Sequence, residues 1–141
     1  MLDLYIANKN YSSWSLRPWM LLNMLGIAFT EHLTPFDGHN NFQRFTSISP
    51  NGKVPCLHDA GLVVWDSLAI IEYLAERHEM VWPHDVAAKI YARSASSEMH
   101  AGFDSLRGQC PMICSARFQL RSVSAGLDRD LRRLDDLFRE G

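Results

Sequence analysis

A chain of 141 residues, 47% apolar and 21% charged, is long enough for one ordinary domain or two small ones and too apolar to be disordered. Its formal net charge of −2, with no run of like charges, argues against nucleic acid or an anionic membrane as partner and favours small molecules or proteins. The N-terminus has no basic region followed by an apolar one, and no stretch approaches the roughly twenty apolar residues of a membrane span, so a cytoplasmic location is expected.

Apolar positions alternate in "LDLYIA", residues 2–7, and predict a strand. The serine-rich stretch "SSWS", residues 12–15, then precedes "LRPWMLLNML", which predicts a helix with Pro18 in its first turn and Gly26 just past its end. "IAFTEHL" predicts a second strand, and "NNFQRFTSI" a short helix closed by the turn at residues 49–52. Residues 54–58 and 62–65 form the arms of a hairpin about "DAG". In "DSLAIIEYLAER" either Asp66 or Ser67 can cap a helix whose Leu68, Ile71, Leu74 and Ala75 repeat at helical spacing. The order is βαβαββα. Helices between the first three strands favour crossover connections, and the short "DAG" turn makes the last two strands antiparallel, giving a mixed sheet with helices on both faces.

Pro83 and Asp85 punctuate the next stretch, so residues 1–78 read as one domain, 79–84 as a linker and 85–141 as an all-α region. One long helix is expected from Val86 to about Leu106. A second, apolar along Leu127, Leu131, Leu134 and Phe138, is expected from near Ala125 to the chain end. Pro111 must interrupt any helix between them. Two helices can hardly enclose a core, so the last one needs another surface.

Cys56, Cys110 and Cys114 form no C-x-x-C pair, and the six histidines lack the i,i+4 spacing of a helical ligand pair. No metal is expected. Three other clusters can carry chemistry, each with an ordinary structural use. Ser12, Ser13 and Ser15 stand where a helix begins; hydroxyls there commonly cap the helix, and one can also donate to an anion such as a thiolate. Pro55 opens a strand, where proline is tolerated in trans; a cis bond would leave the backbone of Val54 presented to an extended, peptide-like ligand. Asp66 and Ser67 start a helix as a cap or, functionally, as a site for the carboxylate and ammonium of an amino acid, with Lys53 available for a second carboxylate. Together they describe a pocket for an extended, doubly carboxylated peptide that carries a thiol.

"SPNGKVPCL", "DSLAIIEYLAE" and the strand order resemble the thioredoxin-like N-terminal domain of cytosolic glutathione S-transferases. "SSWS" is similar to the serine motif of zeta-like and related bacterial members. The resemblance covers residues 1 to about 80, and "ARSASSEMHAGFDSLRGQCPM" continues it into the family's all-helical C-terminal domain. It implies that Ser12 is the catalytic residue, its hydroxyl hydrogen-bonding the glutathione sulfur and favouring the thiolate, with Ser13 and Ser15 as helix caps. It further implies that Val54 pairs with the cysteinyl backbone before a cis Pro55, that Asp66 and Ser67 hold the γ-glutamyl end, and that Lys53 or His39 meets the glycyl carboxylate. Arg17 matches a basic position in zeta-like members.

The implied activity is glutathione transfer to a small electrophile, or glutathione-dependent isomerisation as in maleylacetoacetate isomerases; Trp14, where zeta members often have cysteine, weakens the latter. Glutathione as co-substrate, a homodimer and a role in detoxification follow from the same resemblance. Complete members run past two hundred residues, so the C-terminal domain is expected to be incomplete. A non-catalytic glutathione-binding or protein-interaction module, or an inactive fragment, are the alternatives.

Overall fold

Strand β1 (Leu2–Ile6) turns Leu4 and Ile6 into the core, as the alternation of its residues requires. The computed structural model describes residues 1–38 and 40–141. Strands β2 (Phe29–Leu33), β3 (Cys56–Asp59) and β4 (Leu62–Trp65) complete a four-stranded sheet in the order β2-β1-β3-β4. β1 and β2 are parallel, whereas β3 is antiparallel to both β1 and β4. The first connection is therefore the expected crossover. The second is not: β2 ends, and β3 begins, at the end of the sheet where β1 finishes, so the chain between them has no sheet to cross. Helix α2 (Asn41–Thr46), which lies in this stretch, is a six-residue element. The "DAG" hairpin closes through Ala60 and Gly61, both at positive φ (48° and 87°), the conformation that matches a tight hairpin to strand twist.

Helix α1 (Ser13–Met24) starts three residues before Leu16, because Ser12 takes the N-cap position. Pro18 consequently lies inside the helix, fully buried, and not in its first turn as the sequence suggested. At the other end Gly26 (φ 64°) sits just past the Leu25 cap. The N–H groups of Gly26 and Ile27 bond the carbonyls of Asn23 (3.2 Å) and Leu22 (2.9 Å), the paired bonds of a Schellman motif. Helix α3 (Ser67–Ala75) packs with α1 and the strands around Leu4, Ile6, Leu22, Leu57, Ile70 and Leu74. Each such side chain, removed from water, contributes about 1.5–3 kcal/mol.

The chain divides into two compact units, Met1–Val81 and Trp82–Gly141, with a 3-10 turn at Glu79–Val81 within the expected linker. The second unit holds three helices: α4 (Val86–Ala101), α5 (Asp104–Gln109) and α6 (Ala125–Glu140). The single helix expected to reach Leu106 is thus broken. Gly102 is extended, and Phe103 adopts a left-handed conformation (φ 64°) that carries its side chain into a buried position. Arg107 covers the interrupted end, donating to the carbonyls of Gly102 (3.0 Å) and Met99. Within this unit Arg133 of α6 grips Glu98 of α4 through two hydrogen bonds of 2.7 and 2.9 Å, and Asp130 accepts from the Leu106 N–H at 2.9 Å. Leu127 and Leu137 are buried, while Phe138 on the same helix remains exposed.

Candidate functional site

The register of the sheet brings the three clusters to one edge. Tyr5 of β1 pairs with Cys56 of β3, and Cys56 pairs with Trp65 of β4, so these residues form one row across three neighbouring strands. The chain leaves β1 toward Ser12, enters β3 from Val54 and Pro55, and leaves β4 into Asp66 and Ser67, all beyond that row. Strands about 4.8 Å apart make this edge about 10 Å wide, the length of a three-residue extended peptide.

At the first strand end, α1 is fastened by its serines. Ser12 Oγ accepts from the Ser15 N–H at 3.3 Å, which makes Ser12 the helix cap. Ser15 Oγ accepts from the Ala7 N–H at 3.2 Å and lies 2.8 Å from Ser12 Oγ. Ser15 is completely buried, and Ser12 retains 6% of its accessible surface. Ser13 is the first helical residue, half-buried. The expectation that Ser13 and Ser15 cap the helix is therefore corrected: an early helix start gives that role to Ser12 alone. Trp14 is half-buried, and the Arg17 guanidinium stacks on its ring at 4.2 Å.

At the second strand end the Val54–Pro55 bond is cis. β3 begins only at Cys56, so the N–H and carbonyl of Val54 lie outside the ladder. Two residues that the sequence reading did not single out shape this loop. Asn51 Oδ1 accepts from the Ser49 hydroxyl (2.8 Å) and from the Lys53 N–H (3.0 Å), holding the turn that delivers Val54. The signal was present, since Asn in "SPNG" is a residue whose side chain mimics a backbone turn. Gly52 adopts φ 63°, and a Cβ there would lie 2.5 Å from the Phe42 ring. Lys53 itself is exposed. Beneath the loop, Cys56 is buried with Sγ 3.5 Å from the Ile48 carbonyl; burial pushes its thiol pKa up, against a smaller lowering by Ser49, so it is a poor nucleophile.

At the third strand end Asp66 caps α3, its Oδ1 accepting from the Leu68 N–H at 2.8 Å. It does so at φ 78°, ψ 135°, a conformation that non-glycine residues rarely hold and that costs about 1–3 kcal/mol. Ser67, the first helical residue, is 1% exposed, and its hydroxyl has no hydrogen-bond partner among the described residues. An unpaired donor at the positive end of a helix is suited to a carboxylate.

The fold thus gathers Ser12, Ser13, Ser15, Val54, Pro55, Asp66 and Ser67 along one edge, with Lys53 and Arg17 next to them in the chain. His39 lies outside the described residues. Among the described residues no group of histidines, cysteines and carboxylates is arranged to hold a metal, and no helix is long and apolar enough to cross a membrane.

Comparison with known proteins supports the same region. A family model described as the glutathione S-transferase N-terminal domain matches residues 11–77. A glutathione S-transferase-like protein of Aspergillus terreus, gedE, is 29% identical over 100 residues, covering 64% of this chain and 42% of that protein. The chain therefore spans less than half the length of this curated relative. Among solved structures, an unclassified glutathione S-transferase of Bombyx mori aligns with a TM-score of 0.74 at 21% identity, covering 99% of this chain and 67% of the other. The theta-class enzyme of Xanthomonas axonopodis pv. citri, solved with glutathione bound, gives a TM-score of 0.64 at 21% identity, over 99% of this chain and 67% of its own. These likenesses establish a thioredoxin-like sheet followed by a helical region.

Proposed function

We propose that this chain, whose residues 11–77 match the model of the glutathione S-transferase N-terminal domain, is a member of that family, and that its sheet edge binds glutathione and ionises its thiol for attack on a small electrophile. The observation that carries this reading is the buried Ser67 hydroxyl at the N-terminus of α3, without a partner among the described residues and in line with a backbone edge at Val54 and a hydroxyl at Ser12. Glutathione offers the matching groups in order: an amino-acid end, a peptide backbone and a thiol.

In this account Ser67 and the N-terminus of α3 receive the γ-glutamyl carboxylate, while the Asp66 carboxylate attracts the ammonium. Val54 exchanges backbone hydrogen bonds with the cysteinyl residue, as an added strand would. Lys53 meets the glycyl carboxylate. Ser12 donates to the sulfur, so that the thiolate, sparse at neutral pH for a free thiol of pKa near 8.5, becomes favoured. The thiol proton leaves to solvent, sulfur forms a bond to the electrophilic carbon, and the displaced group departs with the bonding electrons. Held geometry and a preorganised donor supply the rate enhancement. Arg17, stacked on Trp14, adds positive potential beside the α1 N-terminus. The serine motif is similar to that of zeta-like and bacterial members, which supports a place among them, and the same resemblance supports a cytoplasmic homodimer.

The test is a glutathione titration followed by tryptophan fluorescence, since Trp14 adjoins the sulfur position. Saturable binding that weakens in Ser67→Ala, and conjugation that falls in Ser12→Ala, support a transferase. Binding without turnover assigns a binding module, and no binding by a folded chain overturns the reading.

A further inference from the structure

We propose that Ser15, although completely buried, is a positioning residue that makes Ser12 an obligate hydrogen-bond donor. The role in catalysis rests on the function proposed above; the hydrogen-bond arrangement does not. Hydroxyl protons rotate, so the 2.8 Å contact between Ser12 Oγ and Ser15 Oγ can be donated from either side, and the surrounding bonds decide which.

Suppose Ser12 donates. Ser15 Oγ then has both acceptor positions filled, by the Ala7 N–H and the Ser12 hydroxyl, and its own proton is left in a fully buried place with no further acceptor among the described residues. Suppose instead that Ser15 donates. Its proton is satisfied by Ser12 Oγ, and its oxygen still accepts from Ala7. Ser12 Oγ now accepts from both the Ser15 N–H (3.3 Å) and the Ser15 hydroxyl (2.8 Å), which fills its acceptor capacity. All that remains to Ser12 is one O–H, on the one residue of the pair with surface exposed. The second arrangement leaves no buried donor unpaired, and buried donors are nearly always paired.

The consequence is chemical selectivity. A serine with free lone pairs accepts from a thiol as readily as it donates to a thiolate. A serine whose lone pairs are occupied can only donate, and so favours the anionic sulfur. Ser15 thereby acts on the sulfur through Ser12.

The experiment separates this arrangement from glutathione binding. Ser12→Cys places a titratable thiol at the same point, where the Ser15 hydroxyl and N–H would stabilise its thiolate. The pH profile of its alkylation, read by mass spectrometry on the peptide carrying residue 12, gives its pKa without any glutathione. We expect a value well below 8.5 that rises by about one unit when Ser15→Ala is added, roughly a tenfold loss of thiolate at low thiolate fraction. Equal values in the two backgrounds overturn the proposal. Should Ser15→Ala fail to fold, proton NMR of the unmutated protein decides: a slowly exchanging hydroxyl proton on Ser15 supports the assignment, and one on Ser12 overturns it. In the glutathione complex, Ser15→Ala should raise the bound thiol pKa with little change in the Kd measured at acid pH, where the thiol is protonated in both proteins. A merely structural serine would weaken both or neither. Failure of the unmutated chain to bind glutathione would sink the proposed function while leaving the alkylation result for Ser12→Cys standing.

Discussion

Replacing Ser67 by alanine should move stability and affinity in opposite directions. The hydroxyl is buried without a partner among the described residues, and an unsatisfied buried polar group costs about 1–3 kcal/mol. Alanine removes that cost and is also the better helix former, by up to about 0.5 kcal/mol. The free chain should therefore gain about 1 kcal/mol, moving its urea midpoint up by about half a molar at a typical slope. Glutathione, in contrast, loses a hydrogen bond to its carboxylate, and bonds to charged groups contribute about 1.5–3 kcal/mol. At 1.4 kcal/mol per factor of ten, Kd should rise roughly 10- to 150-fold. Urea unfolding of both proteins, with a fluorescence titration of each, reads the two effects side by side. A free chain destabilised by Ser67→Ala would mean that the hydroxyl already has a structural partner. An unchanged Kd would remove it from the site.

Asp66→Gly should relieve the strain at φ 78°, worth about 1–3 kcal/mol, for a capping loss of only a few tenths. Thermal stability rises while glutathione binding weakens; a fall in melting temperature would contradict the strain argument. Cys56, buried and with its thiol pKa raised, should resist alkylation at neutral pH in the folded protein, whereas the exposed Cys114 reacts; mass spectrometry distinguishes them. Glu98 is held below its ordinary value of 4.5, chiefly by its hydrogen bonds from Arg133. Since the folded pKa is the lower one, its contribution is present above 4.5 and lost as pH falls through the depressed value. The stability difference between the native chain and Glu98→Gln should accordingly be seen near neutral pH and vanish in acid, and a pH-independent difference would refute the ion-pair account.

Strong local signals account for what the sequence made legible. The alternation of residues 2–6, the "DAG" turn and the helical repeat from Leu68 each specify one element, and together they give the first unit its order. The site clusters were legible because Ser12, Val54 and Ser67 each follow or precede a strand, so that strand register alone carries them to one edge. Other features depended on tertiary contacts. The start of α1 at Ser13 rests on Ser12 bonding the Ser15 N–H, a choice that three serines in four positions leave open in the sequence. The break at Gly102 and Phe103 has no proline to mark it; it exists because burial of Phe103 and the reach of Arg107 to the freed carbonyls outweigh helix continuation. The direction of β3 could not be read from the presence of a helix before it, since α2 stays at one end of the sheet. The donor direction proposed between Ser12 and Ser15 rests on the complete burial of Ser15, which the sequence does not display.

The most direct test of the account is the pKa of the glutathione thiol when bound, followed by ultraviolet absorbance of the thiolate across pH in the native chain and in Ser12→Ala. The bound value should lie well below that of the free thiol, near 8.5, and return toward it when the Ser12 hydroxyl is removed. Saturable binding with an unshifted thiol, or a shift that survives in Ser12→Ala, would contradict it.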